Sequence, residues 1–165
     1  MNKHIYTKGT GLLEVIVAVA ILGVALGSVV VTFSFYIRAA LQNTEVIQAT
    51  YLAEEGLEAV RIMRDTSWSS NVESLTLNTP YYLTYATSTM IWSANSTPEN
   101  NYVDGKFMRT LSLGEVRRDG NDDIVSSGGS VDAESRLVNV TVSWSQRGAT
   151  TSRSLSMYLT NIFDN

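Results

Sequence analysis

Cysteine is absent from the 165 residues, and histidine occurs once, at His4. Without cysteine no disulfide can staple the fold and no thiolate zinc site can form. With one histidine, close to the N-terminus, the commonest general base and nucleophile–base pairs are missing from the body of the chain, which argues against an enzyme. Proline occurs twice, at Pro80 and Pro98, so none interrupts a helix between Gly11 and Asp65. Charge is sparse: the net value is −4, and basic residues stand singly or in pairs such as Arg117-Arg118, which offers no basic face for nucleic acid. No phosphate-binding loop, metal-ligand cluster or acid–base pair is visible, and no cofactor is expected.

What is present divides into two unlike parts. Gly11 to Phe35 is apolar with one charge, Glu14, while the remainder is rich in Ser, Thr and Asn with short alternating runs of Val, Leu, Tyr and Trp. Met1 to Gly9 (MNKHIYTKG) carries Lys3 and Lys8 and no acid. Positive charge before an apolar segment holds that end in the cytoplasm. The apolar run that follows exceeds the roughly 20 residues needed to cross a bilayer and is longer than the ~7–15 apolar residues of a secretory signal. Glu14 is the informative residue in it. A carboxylate at the centre of a membrane helix costs about 2.5–3.5 kcal/mol, less near an end, and such a lone charge is by default functional.

The stretch KGTGLLEVIVAVAIL, Lys8 to Leu22, resembles the class III leader and N-terminal segment of type IV pilins and pseudopilins. The resemblance implies cleavage by a prepilin peptidase between Gly9 and Thr10, N-methylation of Thr10, and a role in assembly for Glu14. The family usually has phenylalanine at the new terminus and a small or hydroxyl residue after it, where this chain has Thr10 and Gly11. The implied partners are identical or related pilin subunits, the peptidase, and an inner-membrane assembly platform with its ATPase. The implied location is the bacterial cytoplasmic membrane, crossed once with the head outside, and then an extracellular filament serving adhesion, motility, DNA uptake or secretion. A DNA or surface ligand is a further prospect. Physically, cleavage creates an α-amino group of pKa about 7.7–8 in water, which a neighbour's Glu14 can neutralise in an apolar filament core.

Helical signal continues to Asp65. Val46, Ala49, Ala53, Leu57 and Val60 recur at three- and four-residue steps as one buried stripe requires, while Glu54, Glu58 and Arg61 fall mostly on other faces. A helix from Gly11 to Arg64 would be about 80 Å long, which suits a filament core. Gly23 and Gly27 read equally as close packing between helices or as points where the helix melts locally and stretches. LAEEGLEAVRIMRD also resembles the second half of the long pilin helix, where Gly56 would let the head's sheet approach.

From Thr66 the pattern is strand and turn. Strands are expected over 76–92, 106–117, 136–145 and 152–160, with a loop over 95–101 and a turn over 145–151. Val138, Val140, Val142 and Trp144 form an apolar face that packs on the helix. The expected fold is therefore α+β: a long N-terminal helix, apolar in its first half, against a small antiparallel sheet. The segments are 1–9 leader, 10–35 membrane half, 36–65 amphipathic half and 66–165 head.

Three features admit sharper readings. Asp119, Asn121 and Asp123 have the alternate oxygen spacing of a calcium loop, without a closing glutamate, and equally suit a hairpin turn. Asn95-Ser96-Thr97 and Asn139-Val140-Thr141 are glycosylation sequons, the first in the expected loop and the second in a strand. Tyr81, Tyr82, Tyr85 and Trp92 suit an adhesive aromatic surface or cross-strand packing. The competing functions are a pseudopilin of type II secretion and, from another class, a membrane-anchored binding module. An anchored hydrolase would rest on Asp122 and Asp123, whose adjacency places them on opposite faces or in solvent.

Overall fold

The computed structural model describes residues 10–97, 102–146 and 148–163. The expected leader, 1–9, lies outside them. The chain forms two compact units that meet in sequence between Thr44 and Glu45. Helix α1 is assigned Thr10–Thr66, and no proline or cluster of helix breakers interrupts it.

In the second unit the α1 residues from Glu45 onward pack on an antiparallel sheet. Its strands are β1 (Tyr81–Ala86), β2 (Ile91–Asn95), β3 (Tyr102–Val103), β4 (Phe107–Arg118), β5 (Ile124–Val125), β6 (Ser130–Gln146) and β7 (Ala149–Thr160). The order is β2-β1-β4-β6-β7, with β3 and β5 also paired to β4. The α+β expectation holds. Ala49, Ala53 and Val60 of the expected stripe are buried, Val46 and Leu57 are half-buried, and Ala59 and Met63 complete the contact face. Opposite them Val138, Val140 and Val142 have no exposed surface and Trp144 is buried, joined by Leu111 and Leu113 of β4. Each such side chain contributes about 1.5–3 kcal/mol by leaving water.

Small residues on the helix set how closely the sheet approaches. A Cβ at Gly56 would lie 2.8 Å from Val140 Cγ1 and 3.1 Å from Arg109 Cδ. This is the close approach expected at Gly56. Past α1 the chain makes one π-helical turn, Ser69–Glu73, which the sequence pattern did not indicate. There Asn71 Nδ2 donates to Met63 O at 3.0 Å, a carbonyl at the helix end that also accepts the Ser67 N–H at 3.1 Å.

Three expected boundaries change. The single strand over 76–92 is two strands, because the chain turns at Thr87–Met90. Met90 takes a left-handed φ of 56° and its N–H donates to Ala86 O at 2.7 Å, closing a hairpin in which Ala86 pairs with Ile91. The turn over 145–151 is much tighter. The β6–β7 ladder runs to Gln146 opposite Ala149, with Gly148 at φ 81° supplying the reversal. Asn95 belongs to β2 and not to the loop, and the later part of that loop, 98–101, lies outside the described residues.

Candidate membrane and assembly segment

Between Leu12 and Ile37, α1 exposes Leu, Val, Ile, Phe and Tyr on every side, with Leu12 and Val24 each 75% exposed. A helix apolar all round has no water-facing side and belongs in a bilayer or among other helices. The helix contains a stretch long and apolar enough to cross a membrane by length and composition, none of it buried within the protein. Leaving so many large apolar side chains in water costs on the order of 20 kcal/mol or more. The hydroxyls in this segment are already compatible with an apolar medium. Ser28 Oγ donates to Ala25 O at 2.8 Å, Thr32 Oγ1 to Ser28 O at 2.8 Å, and Ser34 Oγ to Val30 O at 2.9 Å, so each returns its proton to the helix backbone.

Gly9 lies outside the described residues, and Thr10 opens α1. Glu14 stands on the exposed helix surface. Gly23 and Gly27 lie inside the continuous helix, four residues apart on one face, and a Cβ at either would meet nothing within 4 Å. Nine residues at 100° each place Gly23 on the side of the helix opposite Glu14.

In the head, Asp119 to Asp123 form the turn joining β4 to β5, with Arg118 paired to Ile124. Asp119 Oδ1 accepts the backbone N–H of Asn121 at 2.8 Å and of Asp123 at 3.1 Å, as an Asx turn does. Among the described residues no group of three or more His, Asp or Glu converges as a metal site would require. Asn95 is half-buried and its Nδ2 donates to Thr84 Oγ1 at 3.0 Å, while Asn139 Oδ1 accepts from Ser156 Oγ at 3.2 Å. Tyr81 is buried, and Tyr85 pairs directly across from Trp92, ring centres 5.1 Å apart.

Sequence reasoning missed the polar anchors between α1 and the sheet. Glu45 accepts from Lys106 Nζ at 2.6 Å, Trp144 Nε1 at 3.1 Å and Gln146 Nε2 at 3.0 Å. Arg109, 4% exposed, donates through Nη1 to Leu52 O at 3.1 Å and Glu55 Oε2 at 2.9 Å. A signal existed for Glu45, since it precedes Ala49 and Ala53 by four and eight residues and so continues their stripe. Arg109 likewise alternates in step with the inward Phe107, Leu111 and Leu113.

The Lys106 ammonium holds the Glu45 carboxyl below the usual carboxylate range, helped by the Gln146 and Trp144 N–H groups. The Arg118 guanidinium, 2.7 Å away, does the same to Asp132, helped by Ser135. A carboxylate whose folded pKa is depressed stabilises the fold fully above its unfolded value, about 3.9 for Asp and 4.3 for Glu, and loses that stabilisation as pH falls through the folded value. The melting temperature of the head is therefore expected to stay level from about pH 7 to 5 and to drop below about pH 4. In a Glu45→Gln, Asp132→Asn variant the neutral-pH melting temperature should be lower and the acid drop shallower. Thermal melts followed by circular dichroism across this range check it, and parallel acid profiles for the two proteins would contradict it.

No protein-family model, no curated protein and no solved structure matches this chain.

Proposed function

We propose that the chain is a structural subunit of a type IV pilus-like filament. It is held in the bacterial cytoplasmic membrane by the first part of α1, cleaved after Gly9, and assembled with like subunits through that helix. The observation that carries the reading is a segment apolar on all sides and interrupted by one carboxylate, Glu14, in the second turn of α1. A plain membrane anchor has no use for that charge. An assembling helix does, because a free α-amino group on a neighbour needs a counter-charge in an apolar surround.

Further support comes from the two faces of the helix. Glu14 and the Gly23/Gly27 pair lie on opposite sides, so one subunit can meet one neighbour through its charge and another through close backbone contact. Contacts through two different patches generate an open helical array when the rotation does not close. The folded unit from Glu45 onward supplies a soluble head for the outside of such an array.

Intact mass spectrometry of the protein from cells with and without an active prepilin peptidase tests the reading. Loss of Met1 to Gly9 only where the peptidase is active, with or without one added methyl on Thr10, is the expected result. An uncut chain in peptidase-positive cells that process other leaders of this kind would leave α1 as a plain anchor.

A further inference from the structure

Beside the second half of α1, strands β1 to β4 leave an open cleft of about 350 Å³. Glu55, Thr84, Tyr85, Trp92, Tyr102 and Arg109 line it. The filament reading uses none of these residues. The cleft lies wholly within the compact unit from Glu45 onward and is a shallow, wide-open surface groove.

We infer that this cleft binds a neutral sugar, with the ring stacked on Tyr85 and Tyr102 and its hydroxyls donating to Glu55. The aromatic surface is available: Tyr85 is 46% and Tyr102 50% exposed. Tyr85 packs on Trp92 yet keeps nearly half its surface open, and the C–H face of a pyranose covers such a ring while its hydroxyls point outward. Trp92 forms a wall of the cleft, in contact with the Tyr85 ring at 5.1 Å and with the Arg109 guanidinium, 5.1 Å from its ring centre.

Charge decides the ligand class. Among the described lining residues the accessible charged group is the Glu55 carboxylate, with a half-exposed side chain, while the Arg109 side chain is 5% exposed. An anionic ligand would meet the carboxylate and be repelled. A cationic ligand would have to compete with Arg109, which already pairs with Glu55 from the buried side at 2.9 Å and lies over the Trp92 ring. A neutral polyol meets neither obstacle. Arg109 acts as a positioning residue: one contact holds Glu55 Oε2 and another, to Leu52 O, fixes the guanidinium to the helix. The carboxylate is thus oriented in advance to accept hydroxyl protons.

The test uses the full chain in a polyoxyethylene detergent, which carries no sugar headgroup. Cellotriose, maltotriose and N,N′,N″-triacetylchitotriose are titrated by isothermal calorimetry, with trigalacturonate and trilysine as anionic and cationic comparisons. Saturable binding of at least one neutral trisaccharide is expected, with Tyr85→Ala and Glu55→Ala each weakening it about tenfold or more and neither charged probe binding as tightly. Tyr85 is exposed enough for its variant to keep the fold, which the melting temperature verifies. Absence of saturable binding to all three sugars, unchanged affinity in the Tyr85→Ala protein, or tighter binding of a charged probe would each overturn the proposal. Filament assembly is scored separately by the processing assay, so the sugar site stands or falls without it.

Discussion

Replacing Glu14 with alanine is expected to leave the chain processed and membrane-held but to reduce its recovery in surface filaments about a hundredfold or more. In the assembled state proposed above, the free α-amino group of Thr10 on one subunit lies in an apolar surround beside Glu14 of another. Removing one partner of such a buried pair strands the other, at about 3–5 kcal/mol, and each 1.4 kcal/mol is about tenfold in an equilibrium. Before assembly the variant meets no such penalty, because alanine is more at home in the bilayer than glutamate. The loss should therefore appear between the membrane pool and the sheared filament fraction, which quantitative immunoblotting of both fractions measures. Glu14→Gln should behave like alanine, since it cannot supply the charge, and Glu14→Asp should restore part of the yield. Wild-type filament yield from Glu14→Ala would mean that the carboxylate is not an assembly contact.

The second large effect is expected in the head. Gly56→Ile should lower the melting temperature by about 10 °C or more, on the scale of a few degrees per kcal/mol for a domain of this size. Two opposing terms decide the sign. Replacing glycine in a helix gains up to about 1 kcal/mol of helix propensity. Against that, the first added carbon already falls 2.8 Å from Val140 Cγ1 and 3.1 Å from Arg109 Cδ, with Leu83 Cδ1 at 3.5 Å. Val140 is β-branched and sits at the centre of the sheet, so it has little freedom to turn away. Arg109 is held by its hydrogen bonds to Leu52 O and Glu55. The isoleucine must push helix and sheet apart, and overpacking of this kind costs about 1–3 kcal/mol before the loss of those hydrogen bonds is added. Gly27→Ala is the natural comparison, because a Cβ there meets nothing within 4 Å, so only the helix-propensity gain remains. Circular dichroism melts of the full chain in detergent separate the two, and a Gly56→Ile protein as stable as wild type would show that the sheet does not press on the helix at that point.

Much of the architecture was legible from local pattern. The apolar run with its single Glu14 identified the membrane-compatible segment, because an uncharged helix surface is a property of consecutive residues. The three- and four-residue recurrence of Ala49, Ala53 and Val60 and the alternation of Val138, Val140, Val142 and Trp144 identified the two faces that meet. The hairpin at Thr87–Met90 was not legible, since a Thr-Ser-Thr-Met turn carries none of the usual glycine, proline or asparagine punctuation. Of the site residues, Glu14 stood out as a lone charge in an apolar context, and Gly9 depends on a cleavage pattern that lies outside the described structure.

By itself, then, the sequence determined the periodicities: which stretch is apolar on all sides, which helix stripe and strand faces turn inward, and that the fold is a long helix with an antiparallel sheet. Only the tertiary structure decided who meets whom. Arg109 is 54 residues from Glu55, and Trp144 is 99 from Glu45; no local pattern joins such pairs. The β6 register sets Val140 against Gly56, and the β1–β2 hairpin brings Tyr85 and Trp92 together over Arg109. Periodicity follows from backbone geometry within a few residues, whereas the partner of a buried charge follows from how separate elements dock. Docking depends on strand register and on the small residues that set the spacing between helix and sheet.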